Sequence, residues 1–453
     1  MQLGRSILSL GDLRSPLSNS LRLARLFVAQ LAPMGASFAA FFLAARFYDA
    51  PSLGELSFVY ATVNLFGSAV GSAIGYRLTP KISSRRTLRY QSAIRGVLGI
   101  AASVLIASIV SAVIFLLGMH ARTPTFILAA TCVGLVFSTI GATISQIAIA
   151  ADKPALLLGV SAFRSATALV PVIIGIIGGL SVNWVVGLFA FSSVLSSVVV
   201  ATLFILPAIY PFKAGHFSRF KNVAIREQVN ISPYIPFLLS GLLPVLIQSS
   251  VSLNLTASTA GLSALAYFNI ARQWQGAVQL LGATSTSHFL SRLKVRGEIN
   301  VAEFRKNERI SSLICLALTI TAWPLSYLLS NAYGFYNDSE SVTILVTLLI
   351  LSGVVQSLNP ISNMNYAFGN IKAQLVQNII LAVSFTALFF LLRGSEIHRL
   401  AYASAISGFL QWITQEVLFK RRFPSIADQT GRRSVLGLSA FSAIVLIFSV
   451  NNV

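Results

Sequence analysis

The sequence predicts an all-α polytopic membrane bundle of 12–13 transmembrane helices arranged as two six-helix halves. Three observations lead there. Of 453 residues, 55% are apolar and only 10% charged, with a mean hydropathy of +0.78. A soluble domain is about one-quarter charged, so this chain has too few charges to coat a soluble surface and too much apolar content for a disordered one. Thirteen apolar stretches approach the roughly 20 residues that cross a hydrocarbon core about 30 Å thick. The 33 basic residues, against 13 acidic, are also segregated along the chain.

The first six stretches fall at 26–46, 56–76, 96–118, 126–150, 156–180 and 184–209. Six more follow at 234–254, 263–288, 310–330, 342–364, 373–392 and 400–419. They are helices by necessity, because backbone polar groups in lipid must be satisfied within the segment. A membrane β-barrel would instead show alternating segments of about ten residues. A shorter stretch, 434–450, is either a thirteenth span or an interfacial helix. The polar lead of the chain suits a retained first span better than a cleaved signal peptide.

Counting basic residues by loop, with the N-terminus inside, puts 27 on the cytoplasmic side. Four lie outside (Arg46, Arg122, Arg393 and Arg399), and two, Arg164 and Arg272, fall within spans. That asymmetry is the positive-inside signal. It also accounts for the net charge of +20 without a nucleic-acid partner, since topology and anionic membrane lipids explain dispersed Lys and Arg at helix ends. Cys132 and Cys315 read as apolar fillers, and His120, His216, His288 and His398 lack metal-site spacing. Neither a metal nor a cofactor is expected.

The polar interruption at 213–233 divides the chain. The organisation read from it is a cytoplasmic tail (1–24), a six-helix bundle (25–212), that linker, a second bundle (234–420), and a basic loop with the possible thirteenth helix (421–453). The segment Gly54-Glu55-Leu56-Ser57-Phe58-Val59-Tyr60 matches Gly261-Leu262-Ser263-Ala264-Leu265-Ala266-Tyr267, and at the same offset Gly75 falls on Gly282. An even number of spans per half makes such a repeat parallel. Pro33 and Gly35 interrupt the opening helix of one half, and Pro236, Gly241 and Pro244 that of the other. They mark either a transport pathway or simple kinks. Gly67, Gly71 and Gly75 form a helix-packing ladder.

An ionisable residue at mid-bilayer costs about 2.5–3.5 kcal/mol and is a functional-site hypothesis by default. Arg272 is the deepest, and helical spacing places Asn269, Arg272, Gln275 and Gln279 on one face. That stripe either lines a cavity or bonds to carbonyls of another helix. Arg164 either lines a pathway or snorkels to headgroups. Arg25 and Arg46 are interfacial or guard the ends of a pathway. Gln30, Asn64, Gln146, Gln248 and Asn254, with Gln356, Asn359 and Asn363 at helical spacing, are ligand contacts or inter-helix glue. Apart from Glu416, no carboxylate falls within these spans. Deep charges that are only arginines suit an anion, and the planar guanidinium matches phosphate.

A 6+6 bundle, a bent first helix in each half and intramembrane arginines resemble the multidrug/oligosaccharidyl-lipid/polysaccharide exporter superfamily. Within it the chain is most similar to polysaccharide-type flippases of O-antigen, capsule and exopolysaccharide units. The stretch PSLGELSFVYATVNLFGSAVG (51–71) is similar to their first outer loop and second helix. The resemblance implies two bundles around a central cavity in a bacterial cytoplasmic (inner) membrane. It implies alternating access that moves an undecaprenyl-pyrophosphate-linked oligosaccharide outward, alongside polysaccharide polymerase machinery. It also implies that Arg272 and Arg164 meet the pyrophosphate while Gln and Asn residues meet sugar hydroxyls. A multidrug exporter of the same superfamily is the alternative. A membrane polymerase or ligase fits less well, because the outer loops are short and carry no acid–base constellation.

Overall fold

In the computed structural model, residues 16–83, 89–150, 154–209, 235–295, 298–335, 339–368, 371–427 and 439–444 are described. Twelve long helices dominate them. The first six are α1 (Pro16–Phe47), α2 (Ala50–Ser83), α3 (Arg89–His120), α4 (Thr125–Ala150), α5 (Pro154–Ile177) and α6 (Val182–Ile209). The second six are α7 (Ile235–Leu255), α8 (Thr259–Leu293), α9 (Val301–Ala332), α10 (Ser339–Ala367), α11 (Ile371–Leu391) and α12 (Glu396–Arg422). A single turn, α13 (Pro424–Ala427), follows. Between α8 and α9 a minimal hairpin pairs β1 (Lys294–Val295) with β2 (Glu298–Ile299).

The ends of these helices follow local chemistry. The Asp49 Oδ1 accepts from the Ser52 N–H at 3.3 Å, and the side chains of Asn300 and Ser395 cap α9 and α12. The α5 helix stops at Gly179, whose φ of +59° is the left-handed conformation that glycine adopts without strain. Both opening helices, α1 and α7, run through Pro33 and Pro244 without a break in helical assignment.

The helices of each half pack in the same scheme. In the first half the pairs are α2–α4, α1–α5, α3–α4, α4–α6 and α5–α6. In the second they recur, six elements on, as α8–α10, α7–α11, α9–α10, α10–α12 and α11–α12. The halves meet mainly through α2 against α8, which occupy equivalent places in the repeat. A second contact breaks the equivalence: α2 packs broadly on α7, whereas its counterpart, α1 on α8, is slight.

Burial distinguishes interior from lipid-facing helices. The apolar span within α10 is 94% buried, but those within α3, α9 and α11 are only 22% buried. Their outward faces carry Leu105, Ile109, Leu116, Ile320, Leu328 and Leu391, all exposed. Such a girdle is tolerable only against hydrocarbon, and the chain is a multi-pass membrane protein. Seven helices among the described residues qualify as spans by length and composition alone.

Two sequence expectations are corrected. The ninth helix begins at 301, not 310, and a qualifying span covers Val301–Ala332. Arg305, Lys306, Glu308 and Arg309 make its first turns read as loop, yet Phe304 and Glu308 are buried, with Phe304 stacked on Phe419 of α12 at 5.7 Å. A second carboxylate besides Glu416 therefore lies within the bundle. Most of 434–450 is outside the described residues. Its helical piece, 439–444, packs on α12 through Phe441, whose ring lies 4.4 Å from that of Phe409.

Candidate functional site

The halves touch at the end of the bundle away from the basic loops. There the Arg46 guanidinium of α1 donates twice to the Ala332 carbonyl at the end of α9, at 3.1 and 2.6 Å. A cation is favourable at a helix C-terminus. Beside it Phe42 meets Tyr333 edge to face. The Thr123 and Thr256 hydroxyls hydrogen-bond at 2.9 Å across the two halves. Gly54 of α2 lies so close to α8 that an added Cβ would collide with the Leu262 carbonyl. One turn deeper, the Asn269 amide donates to the Ser57 Oγ at 3.0 Å.

Below this seam lies a cavity with an empty volume of about 260 Å³. Its walls are Phe58, Ala61, Thr62 and Leu65 of α2, Val245, Gln248, Ser249 and Ser252 of α7, and Asn269 and Arg272 of α8. Arg272 is 13 residues along α8, about 20 Å at 1.5 Å per residue, which is mid-bilayer depth. Its Nη2 donates to the Gln248 Oε1 at 2.5 Å, and the guanidinium lies over the Phe268 ring, 5.2 Å from its centroid. Both contacts orient the fork, the second as a cation–π interaction. A guanidinium carries five N–H donors, so most of them stay available to the cavity. No carboxylate lines it.

Of the predicted residues, Arg272, Asn269 and Gln248 come together here. Gln275 is half-buried nearby on α8 but does not line the cavity. The side chains of Gln279, Arg25 and Gln30 lie outside the described residues. Arg164 and Asn64 belong elsewhere. They line a second, partly open cavity walled by α1, α2, α4, α5 and α6 of the first half. Arg272 and Arg164 thus line different cavities. Gln356 is 1% exposed and donates to the Val278 carbonyl at 2.8 Å, while the Asn359 amide donates to the Gln356 Oε1. Gln356 thus ties α10 to α8, with Asn359 bracing it from the same helix, and neither amide lines the cavity.

Sequence inspection missed Ser57, Thr62, Ser249 and Ser252, because small hydroxyls are common in membrane helices. Phe268, four residues before Arg272, was available as a signal, since that spacing stacks the two side chains on one helix face. Among the described residues no cluster of His, Cys, Asp or Glu is arranged to hold a metal.

No protein-family model matches the sequence, and no curated protein is significantly similar to it. Solved structures are. An inward-facing multidrug resistance MATE family transporter of the MOP superfamily superposes with a TM-score of 0.63 at 14% identity, over 90% of this chain and 99% of that one. The lipid II flippase MurJ, in an inward closed conformation, gives 0.60 at 15% identity, over 94% and 99%. The MATE multidrug transporter DinF-BH gives 0.54 at 14% identity, over 93% and 98%. Over nearly its whole length, this chain has the fold of the multidrug/oligosaccharidyl-lipid/polysaccharide exporter (MOP) superfamily.

Proposed function

We propose that the protein is a flippase that moves an anionic lipid-linked oligosaccharide across a bacterial cytoplasmic membrane, its N-terminus cytoplasmic, by alternating access. It acts as a transporter and not as an enzyme. The observation that carries this reading is Arg272: a guanidinium at mid-bilayer depth, in a cavity between the halves, with donors to spare and no carboxylate in the wall. A buried charge needs a counter-charge, and a pyrophosphate linker such as that of an undecaprenyl-pyrophosphate glycan supplies one in a geometry that guanidinium matches. Asn269, Gln248 and Ser252 offer hydrogen bonds to the first sugar, and helical spacing carries that face of α8 on to Gln275 and Gln279. Arg25 and Gln30 on α1 are assigned to the entrance. The polymerase machinery that would consume the glycan acts after this step.

A multidrug exporter is the second reading, favoured by the fold likeness to MATE transporters. The two differ in charge preference. In proteoliposomes, the flippase reading predicts movement of a fluorescent undecaprenyl-pyrophosphate glycan and no movement of cationic dyes. Dye efflux without glycan movement would establish the exporter instead.

A further inference from the structure

The second cavity raises a separate question of charge. Arg164 lies on α5, ten residues from its start, about 15 Å along the helix. It projects into an empty volume of about 520 Å³ within the first half. It has neither an ion pair nor a hydrogen bond among the described residues, and no Asp or Glu lines the cavity. Guanidinium cannot shed its proton to escape the membrane interior, so an unpaired one there is costly.

Most hydroxyls of the wall, those of Ser37, Ser138, Thr167, Ser196 and Ser197, already donate to backbone carbonyls, but two polar side chains are left over. Ser193 of α6 is 3% exposed and its hydroxyl has no hydrogen-bond partner. The Asn64 carboxamide, from α2, is also without a partner among the described residues. Gly141 of α4 leaves room beside the arginine stem, since even an added Cβ there would stand 4.0 Å from the Arg164 Cδ. The five helices that line this partly open cavity all belong to one half, and none of its lining residues lies on α7 or α8.

We propose that the first half holds a small inorganic anion, of chloride's size and charge, on Arg164 with Ser193 and Asn64 as neutral donors. This site is distinct from the Arg272 cavity and does not depend on the flippase reading. The anion neutralises the guanidinium within the bundle, so the packing of α5 against α1 and α6 depends on its presence.

The test uses the full chain, purified in detergent in sodium gluconate and titrated with sodium chloride, with thermal denaturation and radiolabelled chloride binding as readouts. The expected result is a saturable rise in the melting midpoint and one chloride bound per chain. Sodium sulfate at matched ionic strength should give no such rise. Arg164→Gln should abolish both signals. Ser193→Ala, a milder change that keeps the charge, should weaken chloride binding about tenfold, as loss of one hydrogen bond to a charged group implies. Arg272→Ala should leave both signals intact. A wild-type protein indifferent to chloride would overturn the proposal. So would an undiminished response in Arg164→Gln or Ser193→Ala, or loss of the response on removing Arg272.

Discussion

The Thr123 and Thr256 hydroxyls, one from each six-helix half, stand 2.9 Å apart. They belong to the short connections α3–α4 and α7–α8, one at the seam edge of each half. Their contact closes one end of the interface above the Arg272 cavity. On the orientation proposed from the basic loops, that end is the outer face. Replacing both residues by cysteine should therefore allow an oxidant to join the halves. Cross-linking is expected to be rapid and to stop transport reversibly, with activity returning on reduction. Gel mobility after protease cleavage in the 213–233 linker measures it. The native Cys132 and Cys315 lie in α4 and α9, and each single-cysteine variant serves as a control.

Gly54 permits the same closure by its lack of a side chain. A Cβ there runs into the Leu262 backbone, and backbone cannot step aside as a flexible side chain does. Gly54→Ala should destabilise the closed interface by about 1–3 kcal/mol, the usual range for overpacking. The expected readout is greater solvent accessibility of a cysteine placed at Thr123. Gly35→Ala is the control, because nothing lies within 4 Å of that position, and it should change neither accessibility nor transport.

Gln248 holds Arg272 through a neutral acceptor, and the neutrality matters. Gln248→Glu puts a carboxylate on the guanidinium and satisfies the charge that the substrate is proposed to satisfy. Glycan transport should then fall about as far as it does without Arg272, while thermal stability is kept or rises. Gln248→Leu removes the tether but leaves the charge, so transport should fall only partly, with weaker apparent affinity. Equal transport by Gln248→Glu and wild type would argue against an anionic ligand.

Glu55 sits just outside the second predicted span. Burial, reinforced by the nearby Asp49, raises its carboxyl above the ordinary value of 4.5. The folded protein thus holds this proton more tightly than the unfolded chain. Its favourable contribution is complete below the ordinary carboxylate value and is lost as pH rises through the elevated one. Glu55→Gln should accordingly melt higher than wild type at neutral pH, with the difference vanishing in acid. Melting midpoints across a pH series check the sign.

Much of the fold was legible because lipid imposes simple rules. Apolar runs long enough to cross the bilayer located all twelve helices, and the weak Gly54/Gly261 and Tyr60/Tyr267 correspondence matched a real repeat in helix packing. Hydropathy failed at α9, where charged first turns are helical and partly buried against α12. Nor does hydropathy show that Arg164 and Arg272 line different cavities. Depth along a helix is readable from spacing, but which cavity a side chain enters depends on helix rotation, and a single sequence does not contain that. The burial of Gln356 shows the same limit, since a carboxamide that braces a backbone carbonyl looks in sequence like one that greets a ligand.

The central claim is that Arg272 meets an anionic group on the substrate during transport. Its most direct test is glycan movement in proteoliposomes by Arg272→Ala and Arg272→Lys, with membrane insertion and folding checked in parallel. Arg272→Ala should insert and fold but move about tenfold less glycan or lower still, as loss of a charge-assisted contact implies. Arg272→Lys should recover only part of this, because an ammonium keeps the charge without the planar fork. Wild-type glycan movement by Arg272→Ala would contradict it.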